Sequence, residues 1–406
     1  MLTANPDFPP FSKQEYDRRY EEIRHAMTEK GLDCLVIYGS ENCYGNDRGA
    51  PHLVYLANYV SIPMSYVVFP LQGEPTLVIR TPLHLDNARD ISPVKDVRTG
   101  SWFNIAAGVG ERLAELGLEH GRIGLVGTGL ILPTYTIPFE HHEYLTDSFP
   151  EAQFENVTGW FGDLRNIKSQ EERTVLKKAG VVVSHGYEHM ILMTRPGIRH
   201  CDVTAAVQIL GTQLGASYPL MHFSSTPMAN PSQNYPDPIA TARTVEADHA
   251  VMTELVMGYG SYTAKIMGTY FTGEPNQLYR DLYETAALVY TETVKKLKPG
   301  MTGRDTDQFL EPIKQAGFVT QGNLIMGWGN YMERPRVGAL QGTHGTKIQS
   351  PEDMDYIFKS GQSLYVVART ATPDLKAGVW VGASCLMTED GLEEVVTHPM
   401  TKIRVV

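Results

Sequence analysis

The chain has 406 residues, 42% hydrophobic and 20% charged, which suits two or three domains with buried cores and excludes a disordered chain. A formal net charge of -11, a pI near 5.6 and no long run of Lys or Arg exclude a nucleic-acid-binding surface, leaving small molecules or proteins as partners. The first twenty residues lack a basic and apolar leader pattern, and no apolar run of about 18 residues follows, so a cytoplasmic protein with no membrane partner is expected.

Residues 11–31 predict a helix: Ser12 is a cap with Glu15 three residues on, Tyr16, Ile23 and Met27 recur at helical spacing, and Gly31 is the stop. Short apolar or β-branched runs at 32–39, 65–73, 75–80 and 122–127 read as strands interleaved with helical stretches, so roughly the first 150 residues form an α/β domain. Residues 164–197 form a long amphipathic stretch that opens a second domain. There, 251–275 has strand composition with a Gly hinge, 281–300 is helical, and the runs SLYVVART and EEVVTH read as strands. The Pro-rich aromatic stretch 224–238 reads as an ordered loop of the kind that lines sites.

Cys34, Cys43, Cys201 and Cys385 have no CxxC spacing and read as reduced thiols. His185, Glu188 and His189 match a zinc-binding H-x-x-E-H pattern, but a five-residue match arises easily by chance. Glu140, His141, His142 and Glu143 read as a solvated turn before a helix, and the glycines at 124, 127 and 129 are too compact for a dinucleotide fingerprint.

Several stretches resemble the creatinase, prolidase, aminopeptidase P and methionine aminopeptidase family: AMTEKGLDCLVIYGSEN with HLVYLANY, LRNIKSQEERTVLKKAG, LKPGMTGRD, the GYGSYTAKIMGTYFTGEP hairpin and VWVGASCLMTEDGLEEV. The resemblance covers about the whole chain. It implies an α/β (α+β) protein with a creatinase-like N-terminal α/β domain, residues 1–158, followed by a C-terminal pita-bread domain, residues 159–406. It also implies a homodimer, since a symmetric dimer commonly completes the pocket in small-substrate members.

The family's metal-dependent members hold two cations with five ligands. The matching positions here read Glu254, Lys265, Trp328, Val367 (give or take a residue) and Gly382, of which only Glu254 readily holds a cation. The resemblance therefore implies no metal site and no cofactor. Creatinase dispenses with metal and uses a histidine whose ungapped match here is Asp237, so neither pattern transfers intact.

Glu254 and Lys265 are expected to pair across a hairpin on the pocket face. The plain reading is a charge-compensating salt bridge. The functional reading makes Asp237 or Glu254 the acid/base group and Lys265 the fixed charge for a developing oxyanion. Tyr235 and Asp237 lie in the aromatic loop, whose composition also suits simple turn chemistry. Trp328, Tyr331, Glu333, Arg336 and Arg369 occupy segments that contact substrate in the family, and His222 and His344 lie near them; an Arg there could clamp a carboxylate.

The expected function is metal-independent hydrolysis of a carbon–nitrogen bond, amide or amidine, in a small polar substrate. The alternatives are a lyase or carbon–carbon bond-cleaving enzyme using Lys265, and a non-catalytic pita-bread binding protein. No residue pattern names the substrate.

Overall fold

The computed structural model describes residues 11–40, 50–61, 63–128, 136–320, 322–329, 332–339 and 351–406. Two compact units divide between Arg165 and Asn166.

The first unit opens with α1 (Lys13–Lys30). Ser12 accepts the Glu15 N–H at its start, and Gly31 closes it at φ 66°, a left-handed conformation that costs glycine little. There follow β1 (Cys34–Ser40), α2 (Pro51–Ala57), β2 (Met64–Pro70), β3 (Thr76–Ile79), α3 (Leu85–Ile91), β4 (Asp96–Thr99), α4 (Ala106–Glu115), β5 (Arg122–Val126), α5 (Phe139–Ser148), β6 (Gln153–Asn156) and α6 (Thr158–Asn166). Among the described residues the strands form one sheet, ordered β4-β3-β2-β1-β5-β6.

Period-two alternation splits its side chains between two cores: Leu35, Ile37, Val67 and Phe69 on one face, Val36, Tyr38, Tyr66 and Val68 on the other. Phe161 of α6 packs into the first of these, which is why the unit ends after Arg165 while the sequence reading divided the chain at 158. The Glu140 to Glu143 run is helical, not a solvated turn: it opens α5, and His141 is buried with its Nδ1 2.8 Å from the Tyr66 hydroxyl. Cys34 and Cys385 are buried and Cys201 half-buried, all as free thiols; Cys43 lies outside the described residues.

The second unit begins with α7 (Gln170–Met193), fixed by a capping box in which Ser169 and Glu172 satisfy each other's backbone N–H groups. It continues through α8 (His200–Gln213), β7 (Ser217–Pro227), β8 (His249–Tyr259), β9 (Tyr262–Phe271), α9 (Gln277–Lys296), α10 (Glu311–Gln315), β10 (Val319–Thr320), β11 (Ile325–Trp328), β12 (Met332–Val337), α11 (Pro351–Met354), β13 (Ser363–Ala371), β14 (Gly378–Thr388) and β15 (Gly391–Glu394). The main sheet runs β12-β11-β13-β14-β9-β8-β7, with β10 on β13 and β15 on β14.

Two expectations shift. Ser224 to Pro227 belong to β7, paired with Met252 to His249, so the loop read at 224–238 starts later. The strand read in EEVVTH stops at Glu394, because Val395 turns to pack its carbonyl against Gly180 of α7.

Helix α7 backs β8 and β9, and α9 backs β13 and β14. A Cβ at Gly268 in β9 would lie 2.0 Å from the Tyr187 hydroxyl of α7, so close approach requires glycine there. We predict that G268A lowers the stability of the second unit by about 1–3 kcal/mol, the usual cost of overpacking. By contrast, G159A on α6, where a Cβ meets nothing within 4 Å, is neutral or stabilising by up to about 1 kcal/mol. Urea unfolding of both variants checks the sign difference.

Candidate active site

Leu255 and Met257 contact Gly186 of α7, and Gly268 meets Tyr187, so alternation turns Glu254, Val256, Lys265 and Met267 to the opposite face. Antiparallel register then lines side chains up in rows across that face. One row runs His222, Glu254, Met267, Gly382, Val367. A second carries Val256 opposite Lys265, then Ser384, Tyr365, Met326 and Arg336, joined where the Lys265 N–H donates to Ser384 Oγ at 3.0 Å. A third holds Arg369 opposite Trp380, whose N–H donates to Thr269 Oγ1 at 2.9 Å.

At the centre, Lys265 Nζ lies 2.5 Å from Glu254 Oε1, with both side chains less than a tenth exposed. His222 Nδ1 is 3.4 Å from the other carboxylate oxygen. The ammonium sits over the rings of Trp328 and Tyr365, at 4.6 and 4.8 Å from their centroids. A lone buried ammonium costs several kcal/mol; its carboxylate partner offsets most of that, and two π-faces add about 1–2 kcal/mol each. Burial alone pushes the Glu254 carboxyl up, but Lys265 and then His222 more than reverse it and hold it at about 2. Burial pushes the Lys265 ammonium below its ordinary value, and Glu254 opposes that shift.

The other sequence candidates divide. Trp328 joins the apolar floor with Val256, Met267, Met326, Tyr365, Val367 and Trp380. Arg369 is buried, donates to the Asn323 carbonyl at 2.9 Å and lies 5.4 Å from the Trp380 ring. Tyr235, about half exposed, stands edge-on to Trp380 at 4.4 Å, and partial desolvation of its hydroxyl, with Glu254 nearby, raises its pKa. Arg336 reaches Met332 Sδ at 3.1 Å and is close enough to Lys265 to disfavour its charge.

Asp237 is not part of this group. Its carboxylate accepts from Gln233 at 3.1 Å and lies 3.9 Å from Arg243, and no interaction among the described residues joins it to Glu254 or Lys265. Glu333 is displaced as well: it pairs opposite Gly327 and, three residues from Arg336 along β12, lies on the other face from it. Tyr331 and His344 lie outside the described residues. The sequence reading missed Met267, Tyr365 and Trp380, although strand alternation from Lys265, Val367 and Gly382 points to each.

The residues present do not fit a two-metal centre. Beside Glu254 stands an ammonium and not a second carboxylate, Trp328 offers only an N–H donor, and the side chains of Val367 and Gly382 offer no ligand atom. Among the described residues no group of three or more His, Cys, Asp or Glu is placed to hold a metal ion. In the H-x-x-E-H pattern, Glu188 is engaged by His398 at 2.5 Å and Arg404 at 3.4 Å.

Both halves match established family models: the Creatinase/Prolidase N-terminal domain over residues 19–167, and Metallopeptidase family M24 over residues 174–369. The chain belongs to the creatinase, aminopeptidase P and prolidase family, and is thereby a hydrolase of the M24 type with a pita-bread domain. It is 25% identical to a Xaa-Pro dipeptidase of Pyrococcus furiosus over 377 residues, 92% of this chain and 96% of the relative. Its fold matches a Xaa-Pro dipeptidase from Bacillus anthracis (TM-score 0.78, 18% identity, 96% and 100% of the two chains). It also matches a prolidase from Thermococcus sibiricus (TM-score 0.80, 15% identity, 97% and 100%). No helix among the described residues is long and apolar enough to cross a membrane.

Breaking the central pair on one side strands a buried charge. We predict that K265M and E254Q each cost about 3–5 kcal/mol, while the double variant costs less than either, as thermal or denaturant unfolding will show. The sign with pH follows from the lowered Glu254 value. Its contribution is complete above the unfolded value of 4.5 and is lost as pH falls from 4.5 towards 2.

Proposed function

We propose that the protein hydrolyses a carbon–nitrogen bond, amide or amidine, in a small polar substrate without a metal pair. One observation carries this: the Lys265 ammonium sits against Glu254, between the Trp328 and Tyr365 rings, at the centre of the face where the family's cation ligands are expected.

In such apolar surroundings a fixed cation stabilises a developing oxyanion far better than in water and needs no reorganisation as the charge appears. It supplies one positive charge where two divalent ions supply four, and it acidifies water less, which favours a substrate more reactive than an ordinary peptide. Glu254 keeps the lysine charged and positioned. That same partnership weighs against the lyase reading, because a lysine must shed its proton to attack a carbonyl.

The relatives named Xaa-Pro dipeptidase supply the competing reading, a peptidase that depends on metal. A panel of small amides, amidines and Xaa-Pro dipeptides, each assayed with EDTA and with added Mn2+, Co2+ or Zn2+, separates the two. We predict EDTA-insensitive turnover of an amide or amidine, with kcat lowered at least about 100-fold in K265M and E254Q. Turnover that appears only with added metal, or stoichiometric metal in the purified protein, overturns the proposal.

A further inference from the structure

We propose that His222 is the proton-transferring residue of this site, and that Glu254 is a positioning residue that orients it; this rests on the hydrolase reading above. The sequence offers Asp237 or Glu254 for the acid/base role. Asp237 is engaged by Gln233 and Arg243 away from the central pair. Glu254 is held low chiefly by Lys265, and a carboxylate that reluctant to take a proton is a weak general base near neutral pH.

His222 stands directly opposite Glu254 in the β7–β8 register. Its Nδ1 is buried without a hydrogen-bond partner and lies 3.4 Å from Glu254 Oε2, a contact that a small shift turns into a hydrogen bond, as catalytic pairs often tighten only with substrate. The side chain nevertheless keeps 21% of its surface exposed, and with Nδ1 buried this exposure falls on the remainder of the side chain, which includes Nε2. A carboxylate facing Nδ1 favours the tautomer with hydrogen on Nδ1 and a lone pair on Nε2. Around the dyad stand Lys265 from β9, Arg336 from β12, Arg369 from β13 and the Tyr235 phenol from the loop.

The step balances without a further reactant. Nε2 takes one proton from water as the water oxygen bonds to the substrate carbon, and Lys265 faces the charge that develops on the heteroatom. The same proton then passes from Nε2 to the leaving nitrogen as the carbon–nitrogen bond breaks.

Two measurements test this. The first needs no substrate: long-range 1H–15N NMR of the histidine rings, with His222 assigned by loss of its signals in H222Q. An Nδ1–H tautomer with bare Nε2 in the wild type, shifting towards Nε2–H in E254Q, supports the dyad; an Nε2–H tautomer, or one indifferent to E254Q, overturns it. The second uses the panel amide or amidine that the wild type turns over fastest. H222Q is expected to lower kcat about 10²- to 10⁴-fold and to abolish the acidic limb of the kcat–pH profile, with KM changed far less. An H222Q enzyme within threefold of wild type and with an unchanged pH profile overturns the inference, while sensitivity to K265M leaves the hydrolase reading standing. Should the wild type cleave nothing in the panel, that reading fails, and the tautomer alone decides whether the dyad exists.

Discussion

Desolvation of the Lys265 ammonium is the constraint on which the site depends. Burial disfavours the charge of an amine in the middle of a sheet face, roofed by Trp328 and Tyr365, and Glu254, within contact on the neighbouring strand, opposes that cost. Everything nearby is arranged to suit that pair. The floor is thioether, aromatic and aliphatic, which keeps the local dielectric low, and the polar groups of the surround approach it from strand positions of the same parity.

Sheet geometry makes this possible at modest cost. Glu254 and Lys265 are not directly opposed: Glu254 faces Met267 and Lys265 faces Val256, so the ion pair runs diagonally across the hairpin, within reach of two long side chains. Helices α7 and α9 seal the other face, and the small residue at Gly268 lets Tyr187 press close against β9. The strands that carry the charges are thereby backed by a packed helical layer, and rigid backing of this kind is what preorganised electrostatics requires.

Much of this was legible in the chain. The Ser12 and Gly31 signals bound α1, the family-like hairpin gave the eleven-residue step from Glu254 to Lys265, and their pairing followed from parity. What was not legible has local causes. Asp237 was matched by counting back through a loop, where residue number carries no information about side-chain direction. Glu333 and Arg336 share one segment, but an odd separation along β12 turns the two side chains to opposite faces. Met267, Tyr365 and Trp380 went unnoticed because apolar residues in a strand look like core, and here the core and the site floor are the same surface. His141 looked solvated amid charged neighbours, yet one helical position differs from the next by about 100° of direction.

Gly382 limits which side chains this face can accept. A Cβ there would stand 2.4 Å from the Val367 Cβ and 2.6 Å from the Val366 carbonyl, so a carboxylate cannot enter at that position unless its neighbour on β13 shrinks or moves. An acidic residue at position 265 would meet Glu254 with no cation between them, and like charges at that range repel. Acidic residues are thus disfavoured at both positions, by packing at 382 and by charge at 265.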